Sequence, residues 1–271
     1  MKKLFTVLLS LLMVLSLSAC QKNESSDLLT TIKQRGKLIV ASEQDWPPFT
    51  YEDENGNLAG FDIELAALIA EKLGVEIEYV RADFDSALQG VSAGRFDLAI
   101  NGVSYTEERA NSYNFSTPYA YDRAALIVRE NETEINSIND VEGKIGTNSR
   151  NSIYAELLIE YGVLNGDQDF KYVDTFEQTI DNITRGTADV TLNAYTTYVY
   201  YIETVEDPGV KVVDFIPEGD EYVVCGAGGD KASYSQSLID EVNNILQGLR
   251  DDGTLSELSI KYFHEDITTK Q

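Results

Sequence analysis

The sequence predicts an α/β protein built around two sheets. Three observations carry that expectation. Short apolar runs of strand length alternate with amphipathic helical stretches along most of the chain. One helix, turn and strand pattern occurs twice, 92 residues apart. The length of 271 residues is enough for two lobes or one large domain.

The chain opens MKKLFTVLLSLLMVLSLSAC, with two lysines, an apolar run from Leu4 to Leu17 and small residues before Cys20. That is the layout of a secretory signal over residues 1–19, and the run falls short of the roughly 18 to 20 residues of a spanning helix. The tail Leu17-Ser18-Ala19-Cys20 resembles a bacterial lipobox. By that resemblance the chain is cut before Cys20, whose sulfur then carries a diacylglycerol; two acyl chains suffice for stable anchoring where one is marginal. A polar tether follows over residues 20–33. The expected location is outside the cytoplasmic membrane, anchored through Cys20.

KLIVAS at 37–42 reads as a buried strand, FDIELAALIAEKLG at 61–74 as an amphipathic helix stopped by Gly74, and VEIEYV at 75–80 as the next strand. EDENGN at 52–57 gathers acids and glycine, but Tyr51 stands where a calcium loop needs its first acid; a hairpin turn is expected and no metal site. FDSALQGVSAGRFDLAIN begins at Phe84, and FEQTIDNITRGTADVTLN at Phe176. Phe84, Gly94, Asp97 and Asn101 share offsets with Phe176, Gly186, Asp189 and Asn193. Each copy reads as a helix with one buried face, a left-handed glycine and a buried strand. Around the second copy, residues 144–147 read as a strand, 152–161 as a helix and DFKYVD as another strand; helices broken at Asp252-Gly253 close the chain. Two mostly parallel sheets flanked by helices follow from this alternation.

Forty-six acidic against 21 basic residues give a net charge of −25, and loss of the two leader lysines takes it to −27. Nucleic acid is excluded as a partner, since phosphate binding needs a basic face. No disulfide framework exists, and Cys225 is read as a small buried residue rather than a reactive thiol. Ligands of open α/β sheets bind beyond the carboxyl ends of the strands. Here those loops begin at Asn101 and Asn193, and the first carries Gly102, Ser104 and Arg109. A guanidinium fork in such a loop matches a carboxylate. On spacing alone, Arg109 is equally an exposed helix arginine paired with Glu107 or Glu108.

The blocks WPPFTYEDENGNLAGFDIELAALIAEKLG, GRFDLAING, VSYTEERANSYNFSTPYA and LRDDGTLSELSIKYF, in this order, resemble the polar amino-acid-binding proteins of ABC importers, solute-binding family 3. The resemblance spans residues 34–266. It implies the type II periplasmic-binding-protein fold, two lobes around a ligand cleft, with lobe one at 34–122 plus 225–271 and lobe two at 123–224. It implies no cofactor, a monomer, an amino-acid ligand, and ABC permease and ATPase partners. By the same resemblance Arg109 clamps the ligand's α-carboxylate, and Gly102 and Ser104 receive its ammonium. Glu43, Trp46 and Phe84 line the side-chain pocket, and Asn151 and Ser152 of the second lobe close on the carboxylate.

Two positions depart from the family pattern. Ala194 stands where many relatives carry an aspartate for the ammonium, and TLNA at this place is similar to a run in some cystine-type receptors. Arg150 replaces a common glycine; it reaches a second ligand carboxylate or points to water. One of Tyr195, Tyr198, Tyr200 and Tyr201 is open to entering the cleft. Rival readings are a cyclohexadienyl-dehydratase-like lyase on the same fold, with Glu43 as general acid, and a ligand-sensing domain, which expects an effector or membrane segment after the lobes where the chain reaches Gln271.

Overall fold

The computed structural model describes residues 27–150, 152–164, 170–206, 208–216 and 219–270. The expected signal, the lipidated Cys20 and Asn151 lie outside the described residues. Helix α1 (Leu28–Arg35) is capped by Asp27, whose carboxylate accepts from Thr30 N at 3.0 Å, and buries Leu28 and Ile32. The expected tether over 20–33 therefore ends sooner, because residues 28–33 dock as helix on the first lobe's core.

Strand β1 (Lys37–Ser42) leads into a small antiparallel sheet of β2 (Asp45–Trp46), β3 (Thr50–Glu52) and β4 (Leu58–Ala59). EDENGN is its hairpin turn, where Asp53 accepts from Asn55 N at 2.9 Å and Asn57 N at 2.8 Å. Helix α2 (Phe61–Leu73) ends at left-handed Gly74. Then come β5 (Glu76–Arg81), α3 (Phe84–Ala93), β6 (Leu98–Ala99), the short α4 (Glu107–Ala110), β7 (Tyr113–Phe115) and β8 (Ala120–Asp122).

The second lobe holds β9 (Ala124–Arg129), β10 (Thr147–Ser149), α5 (Ile153–Glu160), β11 (Lys171–Val173), α6 (Phe176–Arg185), β12 (Val190–Ala194), α7 (Tyr195–Thr204) and β13 (Val210–Phe215). The chain returns through β14 (Asp220–Tyr222) and β15 (Cys225–Ala227) and finishes with α8 (Ala232–Asp251) and α9 (Thr254–Phe263).

The first sheet runs β5-β1-β6-β15-β7, with β5, β1 and β6 parallel and β15 antiparallel to both neighbours. In the second lobe β10 and β11 are parallel, while β12, β9 and β13 form an antiparallel ladder. The parallel pairing expected of the βα units is found in β5, β1 and β6 and in β10 and β11, while the other strands of each lobe pair antiparallel. The segments that carry the chain between lobes are themselves extended, and they enter each sheet against the direction of the βα units. Between the lobes, β8 and β14 pair antiparallel.

Each lobe packs helices on both faces of its sheet. Leu38, Val40, Leu98 and Ile100 meet α2 and α8 on one face, and Ala41 and Ala99 meet Ala87, Leu88 and Val91 of α3 on the other. In the second lobe Leu126 and Leu192 face Tyr154 and Leu158 of α5, while Ala125 and Ile127 face Phe176, Ile180 and Ile183 of α6. Fully burying one such aliphatic side chain contributes about 1.5–3 kcal/mol. Cys225 is buried in the first lobe's core, where burial pushes its thiol pKa well up.

The duplicated pattern has a shared physical basis. Gly94 and Gly186 both take the left-handed conformation that ends a helix, at φ 77° and 74°. Asp97 accepts from Ile39 N at 2.7 Å and pairs with Arg35; Asp189 accepts from Ile145 N at 2.9 Å and pairs with Arg129 at 3.5 Å. In both lobes the aspartate fastens a strand edge to the neighbouring strand.

Candidate functional site

A cavity lies between the lobes, a common place for a small-molecule site. Its first-lobe wall is built on the loop after β6. Gly102 sits at φ 53°, and a Cβ there would meet Trp46 Cζ3 at 2.0 Å, so the indole packs directly on bare backbone. Asp62, in the first turn of α2 and fully buried, accepts from Gly102 N at 2.7 Å and from Tyr119 Oη at 2.9 Å. Burial outweighs both hydrogen bonds and raises the Asp62 pKa to about 7.

Thr106 caps α4 by accepting from Arg109 N at 3.1 Å. This turns the Arg109 side chain into the cavity, where Nη1 donates to Ser104 O at 3.0 Å and the guanidinium carbon lies 5.3 Å from the Phe84 ring centre. Glu43 follows β1. Its carboxylate accepts from Phe84 N at 3.1 Å and from Asn101 Nδ2 at 3.0 Å, while Glu43 N donates to Asn101 Oδ1 at 3.0 Å. Desolvation, helped by the nearby charges of Asp45 and Asp83, raises the Glu43 pKa to about 7 against those hydrogen bonds.

Opposite stands the N-terminus of α5. Ser152 caps it, accepting from Tyr154 N at 3.2 Å, and Ser149, Ser152, Ile153 and Tyr154 line the cavity. Asn148 Nδ2 donates to Leu192 O at 2.8 Å and Thr191 Oγ1 at 3.1 Å, which fixes this loop to β12. A helix N-terminus carrying hydroxyls favours an anion.

Of the residues expected in the site, Glu43, Trp46, Phe84, Gly102, Ser104, Arg109 and Ser152 are brought together. Arg150 is not among them: it is exposed, with its guanidinium carbon 4.2 Å from the Tyr172 ring centre, which draws it off the cavity wall. Ala194 is also outside the lining. It ends β12 and its N–H donates to Asn193 Oδ1 at 2.8 Å, so Asn193 faces the cavity instead.

Tyr195, Tyr198 and Tyr201 pack on the second lobe's core and Tyr200 on Tyr51, at 5.8 Å between ring centres. Asp45, Asn101, Asn148, Tyr154, Asp174, Thr175, Phe176, Thr179 and Asn193 line the cavity without having been expected there. The repeat held the signal for three of them. Phe176 and Asn193 are the second-lobe counterparts of Phe84 and Asn101, and both pairs converge on the cleft.

This two-lobed fold, with one arginine inside the interlobe cavity, defines a class of clamping solute receptors. The chain belongs to the bacterial extracellular solute-binding proteins, family 3, whose model matches residues 38–265. It is similar to the L-cystine-binding protein TcyA of Bacillus subtilis strain 168, 30% identical over 99% of this chain and 100% of that protein. An ancestral arginine-binding protein solved with bound arginine superposes at a TM-score of 0.76, with 31% identity, over 84% of this chain and 99% of that one. The ancestral amino-acid-binding protein AncCDT-1, described as a precursor of cyclohexadienyl dehydratase, gives 0.76 at 27% identity, over 87% and 99%. Among the described residues no helix is long and apolar enough to cross a membrane.

Proposed function

We propose that the chain is the extracytoplasmic substrate-binding component of an ABC importer for a polar amino acid, held at the membrane by lipid on Cys20. The observation that carries this reading is the Arg109 guanidinium inside the cavity, seated on Phe84 and facing a second-lobe helix N-terminus. The ligand's α-carboxylate lies between Arg109 and the hydroxyls of Ser149 and Ser152, and its ammonium meets carbonyl and hydroxyl groups at Gly102 and Ser104. Burying a zwitterion is tolerable when both of its charges are matched. With lobe one at residues 34–122 plus 225–271 and lobe two at 123–224, β8 and β14 form the hinge, and the closed form is delivered to a membrane permease.

Stripping carried-over ligand by unfolding and refolding, then measuring thermal shifts with the twenty amino acids, cystine, ornithine and prephenate, tests this reading. Ligand at a hundred times its Kd adds about 2.7 kcal/mol of stability, so the expected result is a large shift with one amino acid or one small chemical set. The raised pKa of Glu43 favours one other reading, a lyase using it as general acid. Turnover of prephenate or arogenate supports that reading, and a shift with prephenate alone removes the amino-acid one.

A further inference from the structure

Among the described residues, three carboxylates of the cavity have no cation paired with them. Glu43 and Asp45 from the first lobe and Asp174 from the second all line it, and none forms an ion pair with another described residue. Comparable acids at strand edges are matched, Asp97 by Arg35 and Asp189 by Arg129. Arg81 acts on Asp45 from a distance, but it is exposed and pairs with Glu52 at 3.5 Å.

Asp45 and Asp174 come from opposite lobes and are close enough that the charge on Asp174 burdens Asp45, as the charge on Asp45 burdens Glu43. Asp174 is held in place at the turn before α6, where its N–H donates to Gln178 Oε1 at 2.9 Å and Thr175 caps the helix. Arg109 sits over the Phe84 ring with Nη1 on Ser104 O, and it forms no ion pair with any of these three acids. Among the described residues, the cavity lining thus carries one cation, Arg109, and three carboxylates contributed by both lobes.

We infer that the cavity selects an amino acid with a cationic side chain, arginine, lysine or ornithine, whose charged end lies between Asp45 and Asp174 beside Glu43. This rests on the amino-acid reading above and narrows it. An anionic side chain meets like charge there, and a neutral amide leaves the carboxylates facing one another as the lobes approach. A ligand cation replaces that repulsion with attraction, and its attraction to Asp174 grows as the lobes close.

Isothermal titration of ligand-free protein with arginine, lysine, ornithine, glutamine, glutamate and cystine tests the inference. At least one basic amino acid is expected to bind about a hundredfold or more tighter than glutamine, glutamate and cystine. Asp174→Asn is expected to narrow that margin by about tenfold, by weakening the basic ligand and by relieving the repulsion that glutamine leaves in place, with Asp45→Asn acting in the same direction. Thermal unfolding of both variants checks that they fold.

Tightest binding of glutamine, glutamate or cystine overturns the inference and leaves the amino-acid receptor standing, as does a basic-ligand margin that both variants preserve. Absence of binding to any of the six removes the inference, and the receptor reading falls only if the wider panel also gives nothing.

Discussion

At the scale of single residues, binding and stability depend on a few buried charged or titratable groups. Arg109→Ala leaves a ligand carboxylate without its fork and is expected to cost about 3 kcal/mol of binding, roughly a hundredfold in Kd. Asp62 makes a prediction about stability rather than affinity. Its pKa rises from 3.8 to about 7 on folding, so the folded state holds the extra proton and Asp62's contribution is full below about pH 4. That contribution is lost as pH rises through 7. Asparagine reproduces the protonated acid, because its carbonyl accepts from Gly102 N and its amide donates to Tyr119 Oη. Chemical denaturation of Asp62→Asn is therefore expected to show a flatter fall in stability between pH 4 and 7 than the wild type. Glu43 adds a linked effect: a cationic ligand beside it drives off a proton near pH 7, which titrations in buffers of different ionisation enthalpy detect as proton release. The loop after a recognisable strand drew attention to Gly102, Ser104 and Arg109, while Glu43, and the choice of the cleft over solvent for Arg109, came from the resemblance to the family. Asp45 and Asp174 were not legible, because their meaning arises only when two lobes bring them together.

At the scale of elements, local signals wrote most of the helices and few of the ladders. Gly36, Gly74, Gly94 and Gly186 stop α1, α2, α3 and α6 in the left-handed conformation, and each stop is visible as a glycine after an apolar stripe. Strand direction has no such local mark. The run from Ala124 to Arg129 is buried at all but its last position, which reads as a parallel strand, yet β9 pairs antiparallel on both sides. Arg150 was left open between cleft and solvent for a related reason: its position in the loop before α5 is sequential, but its partner Tyr172 lies on β11. The N-terminus of α5 gives the prediction at this scale. Ser152→Ala removes the cap to Tyr154 N and is expected to destabilise the protein by about 1 kcal/mol, measured by denaturant unfolding, and to weaken amino-acid binding as well.

At the scale of the whole molecule, two cores joined beside the paired strands β8 and β14 flank one cavity. The repeat of Phe84 and Asn101 in Phe176 and Asn193 explains why a pattern visible in the sequence ends as two facing walls of one cavity. Trp46 touches the cores of both lobes, and Tyr154 Oη lies 3.1 Å from Tyr222 Oη on β14. Adding the cognate amino acid to ligand-free protein is expected to reduce the radius of gyration in solution scattering, and Gly102→Ala, which drives a methyl into Trp46, is expected to blunt that compaction. The central claim is that an amino acid is held between the lobes through Arg109. Isothermal titration of the amino acid that most stabilises the refolded wild type, repeated on Arg109→Ala and Arg109→Lys, tests it most directly. The account predicts saturable one-to-one binding to the wild type, a loss of about a hundredfold in Arg109→Ala and partial recovery in Arg109→Lys. Equal affinity of all three proteins for that amino acid would contradict it.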